Sequence, residues 1–202
     1  MDANDWNKRY DTDDYIYSKD ANKFVIEFCG DLPVGSMIDV AGGEGRNSVW
    51  FAERGWRAEN VDFSGVALAK YLRFAAERGV AELCLANEAS ALDFEAKLAP
   101  ADLGVVAYLQ VPDAELRQAI TNLVAQLKPG ATFFGVWHAL ENLALGNRGP
   151  QDPLVLPTVA SLTDILAGLP VEIVEIANHD GHVKTVDGLK PSVTVCALAR
   201  KL

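Results

Sequence analysis

Short apolar runs and helical stripes take turns along this chain. Residues 37–40 (Met-Ile-Asp-Val) read as a buried strand, and so do 56–62, 81–86, a stretch within 101–109, and 131–137. The last of these is apolar almost throughout, which marks a central strand with both faces covered. Helical patterns stand between them. Over 19–30, Phe24, Val25 and Phe28 share a face, with Asp20 as the N-cap and Gly30 as the stop. Residues 47–54 carry Val49, Trp50 and Ala52 and stop at Gly55. Ser64 caps a helix that runs through Arg78 to Gly79, and 89–98 reads as a short helix. Over 113–127 the apolar residues Leu116, Ile120, Leu123, Val124 and Leu127 form one stripe, which Pro129-Gly130 breaks. A further helix covers 158–169.

The last third changes character. Residues 139–157 hold Gly146, Gly149, Pro150, Pro153 and Pro157, and loops of this length inside a compact domain are usually functional or disordered. Strands at 171–177 and 192–199 are joined by HDGHVKTVDGLKP, a connection without a helix, so the pair is antiparallel. Strands alternating with helices at this spacing predict an α/β fold. The expected architecture is Rossmann-like: a central, mostly parallel seven-stranded sheet with an antiparallel last strand and helices on both faces. No internal repeat or linker divides the chain, so 1–202 reads as a single domain.

Composition narrows the function classes. With 50% hydrophobic and 23% charged residues, the 202-residue chain has the profile of a soluble globular protein. No apolar stretch reaches the roughly 18 residues a membrane helix needs. The N-terminal stretch MDANDWNKRYDTDDY is polar and lacks the apolar segment of a secretory signal, so the chain reads as cytoplasmic. A net charge of −10, with no dense Lys/Arg run, disfavours nucleic acid and anionic membrane surfaces as partners. Oligomeric state is not written in the composition. Cys29, Cys84 and Cys196 sit in apolar runs at spacings that suit neither zinc nor a disulfide frame, and read as buried thiols. Asp11, Asp13, Asp14, Asp93 and Glu95 read as solvated acidic surface and no metal is expected, because the order of a calcium loop is missing.

The chemistry concentrates at DVAGGEGRNSVWFAERG, residues 39–55. In a parallel sheet ligands sit at the carboxyl ends of the strands, and glycines after the first strand let one approach the backbone. A phosphate-binding P-loop needs Lys-Ser/Thr after its glycines, but Arg46-Asn47 follows Gly45. The dinucleotide fingerprint Gly-x-Gly-x-x-Gly is matched only at Gly43 and Gly45. Asp39 and Glu44 make the loop acidic, a poor host for pyrophosphate and a good one for a cation.

Asp39-Val40-Ala41-Gly42-Gly43-Glu44-Gly45 resembles the first motif of class I S-adenosylmethionine-dependent methyltransferases, Asp/Glu-x-Gly-x-Gly-x-Gly, with Ala41 in place of the first glycine. Asn60-Val61-Asp62-Phe63-Ser64 resembles the second motif. The resemblance implies that Asp62 accepts hydrogen bonds from the ribose hydroxyls and that Phe63 lies against the adenine. Ala86-Asn87-Glu88-Ala89 stands at the adenine-contacting strand end, and Leu127-Lys128-Pro129-Gly130 is similar to the family's Leu-x-Pro-Gly-Gly turn. Trp6, Arg9, Tyr10, Tyr17 and Asn22, with the Glu44–Asn47 run, resemble small bacterial methyltransferases of the tellurite-resistance type. That likeness implies that residues 1–30 cover the cofactor.

The expected cofactor is therefore S-adenosyl-L-methionine, held by Asp39, Ala41, Gly42, Gly43, Gly45, Asn47, Asp62, Phe63, Asn87, Glu88, Ala89, Tyr108, Leu109 and Tyr17. The expected reaction is in-line methyl transfer to a small-molecule acceptor. His138 and Tyr108, at strand ends, are the catalytic candidates. Tyr10, Gln110, His138, Arg148 and Gln151 are the acceptor-side candidates, with 139–157 as the substrate-side loop. His179 and His182 read as a solvated turn. Core packing explains Tyr108, Trp6, Tyr10 and Tyr17 as well as a ligand role does. Two rival functions use the same loop: a non-catalytic S-adenosylmethionine-binding protein, and a nicotinamide-dependent oxidoreductase, against which the two acids and the missing third glycine count.

Overall fold

A computed structural model describes residues 2–145, 149–185 and 188–202. The strands are β1 (Ser36–Val40), β2 (Arg57–Asp62), β3 (Cys84–Glu88), β4 (Ala101–Ala107), β5 (Leu127–His138), β6 (Val171–Thr185) and β7 (Gly188–Lys201). The helices are α1 (Ala3–Tyr10), α2 (Lys23–Cys29), α3 (Arg46–Ala52), α4 (Gly65–Glu77), α5 (Asp113–Ala125), α6 (Asn142–Leu145) and α7 (Val159–Ala167). One seven-stranded sheet forms in the order β3-β2-β1-β4-β5-β7-β6. β7 is antiparallel to both neighbours, and the other pairings are parallel.

Alternation along each strand distributes the core. In β1, Met37 packs with Phe24, Val25 and Cys29 of α2, whereas Ile38 and Val40 join Leu116, Ile120 and Leu123 of α5 and Leu162 and Ile165 of α7. Phe134 and Phe133 divide between the same two faces. Apolar runs without polar alternation are what a sheet covered on both sides requires. The three cysteines are free and buried. Among the described residues no helix is long and apolar enough to cross a membrane.

Three local expectations are corrected. Residues 89–98 form turns instead of a helix. Side chains there take the backbone groups that a helix would pair: Glu59 accepts from Lys97 N (3.0 Å) and Leu98 N (2.8 Å), and Gln126 accepts from Ala96 N (2.6 Å) and donates to Phe94 O (3.1 Å). The cap of α2 is Asn22 and not Asp20, and the helix begins at Lys23. The described residues of the connection, 179–185 and 188–191, are strand: β6 and β7 pair from Val171↔Lys201 to Thr185↔Gly188, with a register shift between Ile173 and Glu175. β5 leaves β7 at His138↔Thr194, so residues 188–193 continue with β6 as a two-stranded ribbon past the carboxyl end of β5, over roughly 20 Å. His179 therefore lies within β6, half-buried between Phe24 and Phe28 (ring centroids 5.3 and 5.5 Å), with Nε2 3.3 Å from Glu175 Oε1. His182 pairs with Pro191 in the ribbon and is exposed.

Candidate ligand site at the strand ends

The loop after β1 turns through three left-handed residues, Ala41 (φ 55°), Gly43 (φ 57°) and Gly45 (φ 78°). Ala41 is thus a non-glycine residue in a conformation that costs it roughly 1–2 kcal/mol. The glycines answer to different neighbours. A Cβ on Gly45 would run into the ring of Tyr71. A Cβ on Gly42 would meet Asn60 Oδ1 at 2.5 Å and Asp39 Cγ at 2.8 Å. Only at Gly43 does the close approach come from the N-terminal segment, where a Cβ would stand 2.7 Å from the Tyr10 hydroxyl.

Three carboxyls surround this loop. Asp62, 5% exposed, accepts from Gly43 N on one oxygen and from Ser64 N on the other, both at 2.9 Å. Each oxygen keeps a further lone pair for a ligand. Burial raises its pKa, and the two backbone bonds oppose that rise. Glu44 is committed elsewhere. It accepts from Ile16 N and Tyr17 N and pairs with the equally buried Lys70 (3.0 Å), whose Nζ also donates to Thr12 Oγ1 and Asp14 O. The counter-ion expected for a ligand is instead the anchor of segment 12–17. Asp39 is fully buried, with Oδ2 accepting from the Ser48 hydroxyl at 2.9 Å and Oδ1 without a donor.

The N-terminal residues lie over the loop. Tyr10 is buried and stacks on Trp6 (5.5 Å), and Arg9 lies over Trp6 and Tyr17. Asn7 Oδ1 accepts from the Ser64 hydroxyl (2.6 Å). Tyr17 is 44% exposed. Asn47 is buried, and its side chain accepts from Asn22 N (3.0 Å), tying this segment to α3. Along β3, Asn87 donates to Glu59 Oε1 and Glu95 O (2.8 Å each), which leaves its amide oxygen for a ligand. Glu88 is exposed, Phe63 is half-buried, and Ala89 N donates to Asp62 O (3.2 Å).

At the ends of β4 and β5 the structure brings Tyr108 and His138 together, with ring centroids 4.7 Å apart. Tyr108 is left-handed (φ 62°), its N–H donates to Val136 O, and its hydroxyl accepts from Asn22 Nδ2. Non-glycine residues held in this region cluster at functional sites. Burial lowers the pKa of His138, so the imidazole is neutral at pH 7. Gln110 is engaged at both ends, accepting from His138 N (2.8 Å) and donating to Val155 O (2.6 Å). It braces β4, β5 and the turn at Pro153–Val155 and does not point a free amide at an acceptor. Leu109 is half-buried beside it. Gln151 is exposed and donates to Gly149 O. Arg148 lies outside the described residues.

Asn60, Ser48, Glu59 and Lys70 escaped the sequence reading. Lys70 alone carried a signal, a charge inside the apolar stripe of α4 beside Leu68 and Tyr71. The others look like ordinary polar residues until strand pairing sets Asp39 beside Asn60.

No protein-family model matches the chain, and no curated protein matches it in sequence. Its likeness is to solved structures. TehB from Haemophilus influenzae superposes with a TM-score of 0.73 at 14% identity, over 98% of this chain and 66% of that one. An S-adenosylmethionine-dependent methyltransferase from Methanosarcina mazei gives 0.71 at 17% identity, over 91% and 99%. The [4+2]-cyclase SpnF gives 0.68 at 16%, over 93% and 86%. One architecture thus carries different reactions. The chain has the fold of the class I S-adenosylmethionine-dependent methyltransferases, the fold its first two motifs imply.

Proposed function

We propose that the protein binds S-adenosylmethionine at the glycine loop and transfers its methyl group to a small-molecule acceptor. The observation that carries this reading is Asp62, fixed at the end of β2 by the Gly43 and Ser64 N–H groups, with lone pairs left for two hydroxyls. The residues fit the group in one further respect: a buried acceptor atom of Asp39 lies under the loop without a donor.

When bound, S-adenosylmethionine supplies a methyl group activated by its sulfonium. Asp62 would hold the ribose, with Phe63 and the Asn87 amide oxygen on the adenine side. Ala41, Gly42, Gly43 and Gly45 shape the turn, Asn47 holds Asn22 and the covering segment, and Tyr10 and Tyr17 exclude water from above. Tyr108 and Leu109 flank the reacting end. Alignment of this kind can lower a barrier by roughly 7–11 kcal/mol without a strong base. For an oxygen or nitrogen acceptor, neutral His138 takes the proton at its ring nitrogen. A soft nucleophile needs no such step. The acceptor would lie between Tyr108, His138 and the described part of the 139–157 loop, with Gln151; the expected Arg148 lies outside the described residues.

Calorimetry with S-adenosylmethionine and with NAD tests the reading. Saturable binding of the first, weakened about 10–100-fold in Asp62→Ala through lost charge-assisted bonds, supports it. Binding of NAD alone, or of neither, overturns it. The likeness to a cyclase places this fold on a protein of another activity, and the second reading is a protein that binds the cofactor without transferring its methyl group. Tight binding with no methyl transfer over a broad acceptor panel would select that one.

A further inference from the structure

Near Gly42 two buried side-chain oxygens, Asp39 Oδ1 and Asn60 Oδ1, have no hydrogen-bond donor. Asp39 and Asn60 are register partners on β1 and β2, and both are fully buried. Asn60 Oδ1, Asp39 Cγ and Asp39 Oδ2 lie 2.5, 2.8 and 2.9 Å from the single point that a Gly42 Cβ would occupy. Asp39 Oδ2 is engaged by Ser48, while Asp39 Oδ1 and Asn60 Oδ1 have no partner. Turning the Asn60 amide over does not repair this. Its Nδ2 donates to Gly43 O at 2.9 Å, and the flipped oxygen would face that carbonyl instead. A proton on Asp39 removes the charge of a fully buried carboxylate whose Oδ1 has no donor.

The surroundings agree. Asp39 has Val105 of β4 on one side and Asn60 and the Asp62 carboxylate of β2 on the other. Arg46 and Ser48 face it from α3, and Tyr71 from α4. Arg46 favours its ionisation and Asp62 opposes it, and among the described residues no ion pair to Asp39 forms. Burial pushes the Asp39 carboxyl up to about 7.

We propose that Asp39 is a neutral carboxylic acid in the ligand-free protein, and that a cationic ligand settling on the glycine loop drives its proton into solvent. The second half rests on the cofactor reading above. The O–H bond of Asp39 breaks, the electron pair stays on the carboxylate, and the proton passes to buffer. A positive charge above the loop favours the ionised acid, and by reciprocity ionisation of the acid favours the cation. Affinity then rises with pH up to about tenfold per unit below the Asp39 midpoint and levels above it.

Two measurements decide it. Carboxyl carbon NMR of the ligand-free protein follows Asp39, its signal assigned by its loss in Asp39→Asn. A midpoint near neutrality is expected, and one in the ordinary carboxylate range overturns the proposal. An asparagine at 39 is uncharged and close in shape to the protonated acid, so this variant is expected to fold. Should it not, Ser48→Ala serves, because removing that donor must shift the Asp39 signal's midpoint upward. Calorimetry with S-adenosylmethionine near pH 6.5 in buffers of differing ionisation enthalpy then counts protons. Release approaching one proton per ligand in the wild type, and none in Asp39→Asn, is expected. Binding without release overturns the coupling and leaves the cofactor reading intact. No binding overturns that reading and the coupling with it, while the NMR result still decides the state of Asp39.

Discussion

The two halves of the candidate site are built in opposite ways. Around the glycine loop, Asp39, Glu44, Asp62, Asn60, Asn47 and Ser48 are all buried, and side chains from four elements bond to one another or to backbone. At the ends of β4 and β5, Tyr108, His138 and Gln110 are half-buried, and one imidazole and one phenol ring face each other with few polar ties. A ligand common to many relatives of a fold calls for a preorganised cradle, whereas an acceptor that differs between enzymes calls for a surface that loops can vary. On the proposed function the difference also separates what mutations should do: changes at the loop are expected to act on stability and affinity, changes at the β4–β5 end on rate.

The sharpest break of that comparison is Lys70→Met. It leaves Glu44 buried without its cation, and losing one partner of a buried pair costs about 3–5 kcal/mol. Denaturant unfolding is expected to show a loss of this order, and limited proteolysis is expected to cut first within 12–17, the segment this pair holds. A loss under 1 kcal/mol with 12–17 still protected would show that the segment is held by its other contacts.

Asp39 comes next. It is neutral in folded and unfolded chains below pH 4. As pH rises the unfolded chain ionises first, so native stability falls through the window from about 4 to about 7 and is level above it. The wild-type penalty at pH 8 is on the order of 4 kcal/mol, from the width of that window. Asp39→Asn is expected to lack it, so the gap between the two proteins should open between pH 4 and 7. Parallel stability curves would contradict a raised Asp39. Asp62 shifts in the same direction and remains in both proteins.

At the other end, His138→Gln is expected to keep cofactor affinity and lose about 10²-fold in kcat for an oxygen or nitrogen acceptor, the lower range of general-base effects. Because burial lowers the His138 pKa, wild-type activity should hold through neutrality and fall only as pH drops below the ordinary histidine range. An unchanged pH profile in the variant would remove His138 from proton transfer. The smallest effect belongs to Ala41→Gly. Relief of the left-handed backbone, offset by the extra freedom glycine gains when unfolded, leaves a stabilisation of up to about 1 kcal/mol. Destabilisation by thermal melting would show that the Ala41 methyl group packs usefully.

Much of this was legible along the chain. The buried strands, the helix stripes of α4, α5 and α7 and the acid-glycine loop all follow from period and run length, since burial on both faces leaves long apolar runs. The ribbon of β6 and β7 was not legible. Residues 180–185 and 188–193 mix Gly, Pro and polar residues because they stand beyond the end of β5, where cross-strand pairing holds them. Residues 89–98 misled for the opposite reason: their spacing suits a helix, but Glu59 and Gln126, far away in sequence, claim the backbone first.

The sequence by itself determined the order of strands and helices, the placing of the glycine loop and the presence of acids at the ends of β1 and β2. These depend on neighbours within a few residues. Only the tertiary structure decided what each acid does. Asp62 meets Gly43, Glu44 meets Lys70, and Asp39 meets Asn60 across gaps of about twenty residues. A carboxyl's charge state is set by the donors and the solvent that remain once such partners have closed around it, and chain order does not encode that.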